Sequence, residues 1–381
     1  MTARQNAGET RETAVRQDSD IAIVATAQLP AVRRQELTET EMLLMVVDEA
    51  LDKVGLKRSD IGFSCQGSCD YISGGTFSFV PNLDAMGAWP PIHESHVEMD
   101  GAWAMYEAWV RLKHGDIDIA VAMGSGKSST GDPAAMYPLE LDPYYLAPLG
   151  LDPVSLAALQ ARQLIESGKT TERELAEIAA RSRRDAAGNP NQQVRGAEQD
   201  VDKLLAEGYL RNPLRKSDLP PISDGACAVV LVRGPRAAEL TERPAWITGL
   251  DHRSEVHNPA LRDLTDSAST RIAGQRAGGV AGVEVAELMA PFTAQEVILR
   301  QSLGLAEDVV INPSGGALTG NPLMATGLVR IAAAADQILI NGRSRTLGHA
   351  TSGPALQQNL VCVLEGDTGA EGDPAAKGDN R

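Results

Sequence analysis

Short apolar strand patterns alternate with capped helices along nearly the whole chain, and this alternation constrains the fold more than any other feature. Asp20 to Ala27 (DIAIVATA) is a buried-strand pattern. Thr38 and Glu41 then form a capping box ahead of the apolar face Met42, Leu43, Val46, Val47, Ala50 and Leu51, with Gly55 as the stop. Residues 101–114 are helical in pattern, and Asp118 to Met123 (DIAVAM) is a strand ending in Gly124-Ser125-Gly126. Asp152-Pro153 starts a helix that Gly168 closes, and Thr171 with Glu174 heads a charged helix to about Ala187. Ala226 to Val232, Ala245 to Thr248, Val309 to Asn312 and Leu360 to Glu365 are further strands; helices are expected near 292–303 and over 325–340. Strands that are apolar throughout belong to sheets covered on both faces, so the class is α/β.

The charge-rich stretch 160–218, with 11 basic and 10 acidic residues, interrupts this alternation as a helical insertion. Residues 1–19 and 366–381 are polar and balanced or acidic, and are expected as a disordered leader and tail. Over the 381 residues, 35 basic and 51 acidic groups leave −16. That balance excludes nucleic acid as a partner, since binding it needs a basic face. No apolar run reaches membrane-spanning length, and the N-terminus has no signal-peptide core, so no membrane contact and a cytoplasmic location are expected. Cys65 and Cys69 form a C-x3-C pair, but no second pair of ligands stands at zinc spacing, so no metal is expected. The segment 87–98 (GAWPPIHESHVE) places Glu94, His96 and Glu98 at period two after Pro90-Pro91, which means an extended strand with one polar face. Trp103, Tyr106 and Trp109 read as core or interface packing.

Three blocks in order resemble the thiolase superfamily. Ser223-Asp224-Gly225-Ala226-Cys227-Ala228 resembles the S-D-G-A-A-A signature before the mid-chain strand. Asn312-Pro313-Ser314-Gly315-Gly316, Gly320-Asn321-Pro322 and Ala325-Thr326-Gly327 resemble the N-P-x-G-G, G-H-P and A-T-G landmarks. Val97 to Ala104 (VEMDGAWA), with the helix and strand after it, resembles the nucleophile turn. Within the superfamily the chain is most similar to the thiolase-like lipid-transfer proteins of actinobacterial sterol catabolism, which include aldolases cleaving steroid side-chain CoA thioesters; Leu347 to Glu365 resembles their C-terminal block.

The resemblance implies two similar βαβαβαββ halves in an α-β-α-β-α stack with a helical loop domain: an N-terminal half over 20–240, including a loop region of about 130–220, and a C-terminal half over 241–365. It implies an acyl-CoA ligand, with coenzyme A arriving as part of the substrate and no permanently bound cofactor. Arg181, Arg184, Arg215 and Lys216, with neighbouring Arg183 and Arg211, become candidate contacts to CoA phosphates, against the alternative of a solvated helix face. Partners would be a second copy or a thiolase-like paralogue, with an OB-fold accessory protein as a further candidate.

The resemblance also shows what is missing. The family's nucleophilic cysteine falls at Gly101 and its two histidines at Met289 and Asn321, while the tyrosines of the aldolase branch fall at Met289 and Thr351. Acyl transfer through cysteine is therefore not expected. Polar candidates that remain are His349, Glu98 and Asp100 as bases, with Asn321 or the Gly315 and Gly316 amides as donors to a thioester oxygen. Glu98 and Asp100 have an alternative role as caps of the helix beginning at Gly101. Two functions stay open: a retro-aldol enzyme acting on a sterol side-chain β-hydroxyacyl-CoA, and a degenerate subunit paired with an active paralogue.

Overall fold

Residues 16–87 and 91–367 are described in a computed structural model; the leader through residue 15, Pro90 of the Pro90-Pro91 pair and the tail from 368 lie outside the described residues. The strands are β1 (Ile21–Gln28), β2 (Phe63–Gly67), β3 (His93–Val97), β4 (Ile119–Lys127), β5 (Tyr209–Arg211), β6 (Leu214–Arg215), β7 (Asp224–Arg233), β8 (Ala245–Ser254), β9 (Val285–Leu288), β10 (Val310–Ile311), β11 (Arg345–Ser352) and β12 (Gln358–Glu365). The longer helices are α1 (Glu39–Asp52), α2 (Gly101–His114), α3 (Pro153–Glu166), α4 (Glu172–Ala186), α5 (Ala268–Arg276), α6 (Thr293–Leu303) and α7 (Thr326–Leu339).

The duplication that the sequence does not show is plain in the topology. One run reads β3-β2-β4-β7-β1 and the other β10-β9-β11-β12-β8, the same order of third, second, fourth, fifth and first strand. Pairing senses match as well: the first two contacts of each run are parallel and the last two antiparallel. The halves are not two separate sheets. Ala22 and Ile23 of β1 pair with Trp246 and Ala245 of β8, which joins ten strands into one hydrogen-bonded sheet.

Helices cover this folded sheet in three layers. α2 and α7 lie in the middle, sharing one apolar core with inward residues of both runs, among them Ile23, Cys65, Leu360 and Cys362. α1 covers the outer face of the first run through Met42, Val46 and Ala50. α5 and α6 cover the outer face of the second, together with α3 and α4 of the insertion. The order is helix, sheet, helix, sheet, helix.

Four residues expected in the leader and two expected in the tail pack on the body. Arg16 pairs with Asp367 at 3.0 Å and lies over the Trp246 ring, and Trp246 Nε1 donates to Asp367 at 2.9 Å. Residues 16–19 and 366–367 are thus tied to the body. Trp103 packs in the central core, and Tyr106 meets the edge of His252 at 4.6 Å.

Near the C-terminal end of α7, Asp336 lines a polar cavity of about 290 Å³ with Glu49, Lys53 and Asn191. It accepts a hydrogen bond from Thr26 Oγ1 at 2.6 Å. Burial pushes its carboxyl up to about 6, with Thr26 and Lys53 opposing. A raised carboxyl favours the fold while protonated, so its contribution is present below about pH 4 and lost as pH rises through about 6. Asp336→Asn is expected to stabilise the protein at pH 8 by on the order of 1–2 kcal/mol, and to change nothing at pH 4. Thermal melts across that range check it; an equal shift at both ends would show that the carboxyl is not the cause.

Candidate functional site

Four glycines allow the loop before α7 and the start of α2 to lie against the strand ends of the first run. A Cβ on Gly126 would stand 1.8 Å from the Leu323 carbonyl oxygen, one on Gly124 2.4 Å from that of Met324, and one on Gly67 2.4 Å from the Gly101 nitrogen. Gly101 N–H donates to the Met324 carbonyl at 2.8 Å. Gly101 itself is boxed in, its absent Cβ facing Leu328 Cδ2 at 3.0 Å and Gly124 Cα at 3.2 Å. No side chain fits there without movement.

Beside this junction Asp100 is buried and fully used. Its carboxylate caps α2 through Ala102 N–H and also receives Gly327 and Leu328 N–H at the start of α7, each at 2.9 Å. Burial pushes the carboxyl above its ordinary value, and the three amides pull against that. Two central helices from different halves thereby share one cap.

In front of the shared cap opens a cavity of about 770 Å³, walled by loops of both halves and by the segment 132–156. Prolines and aliphatic side chains dominate it: Pro133, Leu141, Val154, Pro221, Phe292 and Met324 are representative. Polar groups are few, the balance expected of a small-molecule site. Asn321 lines it with Oδ1 accepting from Thr326 Oγ1 at 3.0 Å, and its backbone N–H donates to Ser223 Oγ at 3.0 Å; its Nδ2 has no partner among the described residues. Met289 and Thr351 are opposite one another, with Thr351 N–H directed at Met289 Sδ at 3.4 Å. The Thr351 hydroxyl is taken by the Gln358 carbonyl at 3.0 Å.

The sequence matches no family model. An acetyl-CoA acetyltransferase of Methanothermobacter thermautotrophicus is 25% identical, covering 82% of this chain and 89% of that protein. The benzoylsuccinyl-CoA thiolase subunit BbsB of Thauera aromatica is also 25% identical, covering 77% and 84%. An Ltp2-ChsH2(DUF35) aldolase structure superposes with a TM-score of 0.78 at 20% identity, over 92% of this chain and 99% of that one. The Bacillus anthracis acetyl-CoA acetyltransferase gives 0.75 at 15% identity, covering 93% and 100%; the human mitochondrial 3-ketoacyl-CoA thiolase gives 0.72 at 14%, covering 91% and 98%. The chain has the thiolase fold.

Within this thiolase fold, Met289, Asn321 and Thr351 meet at one cavity with Asp100. The other candidates do not. His349 is fully buried inside β11, its Nε2 paired with Asn359 Oδ1 at 3.0 Å and its Nδ1 without a partner among the described residues. Burial lowers its pKa to about 4, and it is not among the cavity walls. Glu98 is exposed outside the cavity and accepts from Asp70 N–H. Gly315 and Gly316 turn with positive φ under α4, their amides donating to Asn312 O at 2.9 Å and Ser314 Oγ at 3.3 Å, so neither serves a thioester.

The basic candidates separate in the same way. Arg181 Nη2 donates to both carboxylate oxygens of the buried Glu296, and Arg215 pairs with Glu172 at 2.6 Å while stacking over Tyr209. The first pair holds the insertion to the body and the second closes the insertion on itself. Arg184 is exposed and pairs with Asp185 at 3.3 Å, and Arg183 donates to the Glu198 carbonyl. Lys216 is exposed and carries no ion pair among the described residues, and Arg211 forms part of the cavity wall.

Two polar side chains at the cavity carry no sequence pattern that singles them out, Tyr137 and Glu140. Their segment is short and irregular, and its one signal is Pro138 at the second position of a single 3₁₀ turn. All four cysteines are pushed up by burial, away from thiolate chemistry, and none lines the cavity.

Proposed function

We propose that this chain binds an acyl-CoA thioester and takes part in retro-aldol C–C cleavage of a sterol side-chain β-hydroxyacyl-CoA in the cytoplasm. The observation that carries the reading is the 770 Å³ cavity, apolar-walled and open to a bulky acyl group, at the junction where the family places its chemistry. Gly101 carries no thiol, so the reading holds no acyl group on a cysteine at that turn. Asn321 Nδ2 is the donor available to a thioester oxygen, and Arg211 with Lys216 are the cations left for CoA phosphates. Coenzyme A is part of the substrate, and no resident cofactor or metal is required.

A second reading, a degenerate subunit beside an active paralogue, is favoured by one observation. The edge strand β3 pairs only with β2 among the described residues and exposes His93, Glu94 and His96, a strand edge suited to a homodimer or to a heteromer with a paralogue. An OB-fold accessory protein belongs to the same proposal; one structural neighbour is itself an Ltp2-ChsH2(DUF35) assembly.

The test is calorimetric titration with saturated acyl-CoA esters. A steroid-sized acyl chain is expected to bind at least about tenfold tighter than acetyl-CoA, from added apolar burial. Equal affinity, or none, would overturn the binding reading. Cleavage seen only with a paralogue, and abolished by variants of that paralogue alone, would establish the second reading.

A further inference from the structure

Resting on that reading of the cavity, we propose that Tyr137 and Glu140 form the proton-transfer pair of the carbon–carbon cleavage, Glu140 as base and Tyr137 as acid. The argument begins from local geometry. Tyr137–Glu140 is one 3₁₀ turn, and in a 3₁₀ helix side chains three apart eclipse each other. The phenol and the carboxyl therefore project from one edge of the turn, and both residues form the cavity wall that also contains Asn321 and Thr351.

Elimination points the same way. Asp100 and Asp152 use their carboxylates on helix N-termini, Asp152 through Ser155 N–H at 2.9 Å, and Asp132 caps the short helix after it through Ala135 N–H at 3.3 Å. The Thr351 hydroxyl is held by Gln358, and no cysteine, histidine or lysine lines the cavity among the described residues. Environment suits the two roles. Partial desolvation at the cavity wall raises the Glu140 carboxyl, with His257 opposing, which makes its carboxylate a stronger base than an ordinary one. Burial first, then Glu140 and Cys69, keep the Tyr137 phenol protonated well above its usual range, ready to donate.

The step balances without a co-reactant. Glu140 takes the β-hydroxyl proton as the Cα–Cβ bond breaks and the β-carbon becomes a ketone. The electron pair moves into the thioester enolate, whose oxygen accepts a hydrogen bond from Asn321 Nδ2. Tyr137 then delivers its proton to Cα, releasing the shortened acyl-CoA, and the proton on Glu140 passes to the phenolate to restore the pair.

The experiment uses the full chain with a β-hydroxyacyl-CoA and its β-deoxy analogue. Wild type should release ketone, and in D2O should place one deuterium at Cα of the product. Tyr137→Phe and Glu140→Gln should each lower kcat by at least about 100-fold, while their affinity for the β-deoxy ester stays within about threefold. Either variant keeping kcat within about threefold of wild type would overturn the pair. Should a variant fold poorly, Tyr137→Leu or Glu140→Met takes its place and is read in the same way. Wild type that binds the β-deoxy ester but neither cleaves nor exchanges overturns the pair and leaves the binding reading standing; wild type that does not bind it overturns that reading.

Discussion

Asp100→Ala is expected to destabilise the fold by at least about 3 kcal/mol, because three buried amides lose their acceptor at once. Those amides belong to Ala102, Gly327 and Leu328, at the N-termini of the two central helices. An ordinary cap is worth about 1 kcal/mol; this one serves α2 and α7 together at a fully buried point, where each abandoned N–H costs about 1–3 kcal/mol. Asp100→Asn should fall between, as Oδ1 can still accept from Ala102 and Leu328 while the new NH2 faces the Gly327 donor. Urea unfolding gives the ranking. An alanine variant within about 1 kcal/mol of wild type would show that the helices are held by packing alone. Since Asp100 also lines the main cavity, affinity for an acyl-CoA should fall with stability.

Strands made of consecutive apolar residues were legible from sequence: β1, β4, β7 and β12 stand where the apolar runs do, within a few residues. β2 (FSCQG) and β11 (RTLGHATS) were not, because small or polar residues fill them even though nearly all are buried, and β9 (VAEL) is only four residues long with a buried Glu287 inside it. Their burial is set by the helices that cover them, which no local window contains. The repeated strand order likewise leaves no mark in the residues, since topology survives substitutions that erase similarity.

At the site, the motif positions Met289, Asn321 and Thr351 all belong to the C-terminal half and converge because the parallel neighbours β9 and β11 end side by side, next to the loop that leads into α7. His349 fails for a geometric reason. It lies two residues before Thr351 on the same face of β11, roughly 7 Å deeper into the strand, beneath a polar cluster in which Asn359 bonds Ser267 and Ser269. The basic residues of the insertion misled in another way. Composition counts cations, but Glu296 and Glu172, which claim Arg181 and Arg215, lie 115 and 43 positions away.

The second large effect lies in the central layer, where Glu287 and Arg330 are both fully buried and paired at 2.9 Å. Glu287 also receives Ser314 N–H at 3.0 Å and Ser314 Oγ–H at 2.7 Å, so the pair anchors the turn that leads on to Asn321. Burial pushes the Glu287 carboxyl up, with Arg330 opposing. Glu287→Ala should cost about 3–5 kcal/mol, because it leaves a guanidinium unpaired in an apolar layer. The double variant Glu287→Leu with Arg330→Met removes both charges and should recover most of that loss, since a buried pair repays little more than its own desolvation. Stability alone does not separate a structural anchor from a site determinant, but ligand binding does. If the pair's task is to hold the Ser314 turn, the double variant should regain stability yet bind acyl-CoA less tightly than wild type, because both side-chain contacts to Ser314 are gone. Recovery of stability and affinity together would mean that Asn321 is positioned by the Thr326 and Ser223 bonds without help from the buried pair.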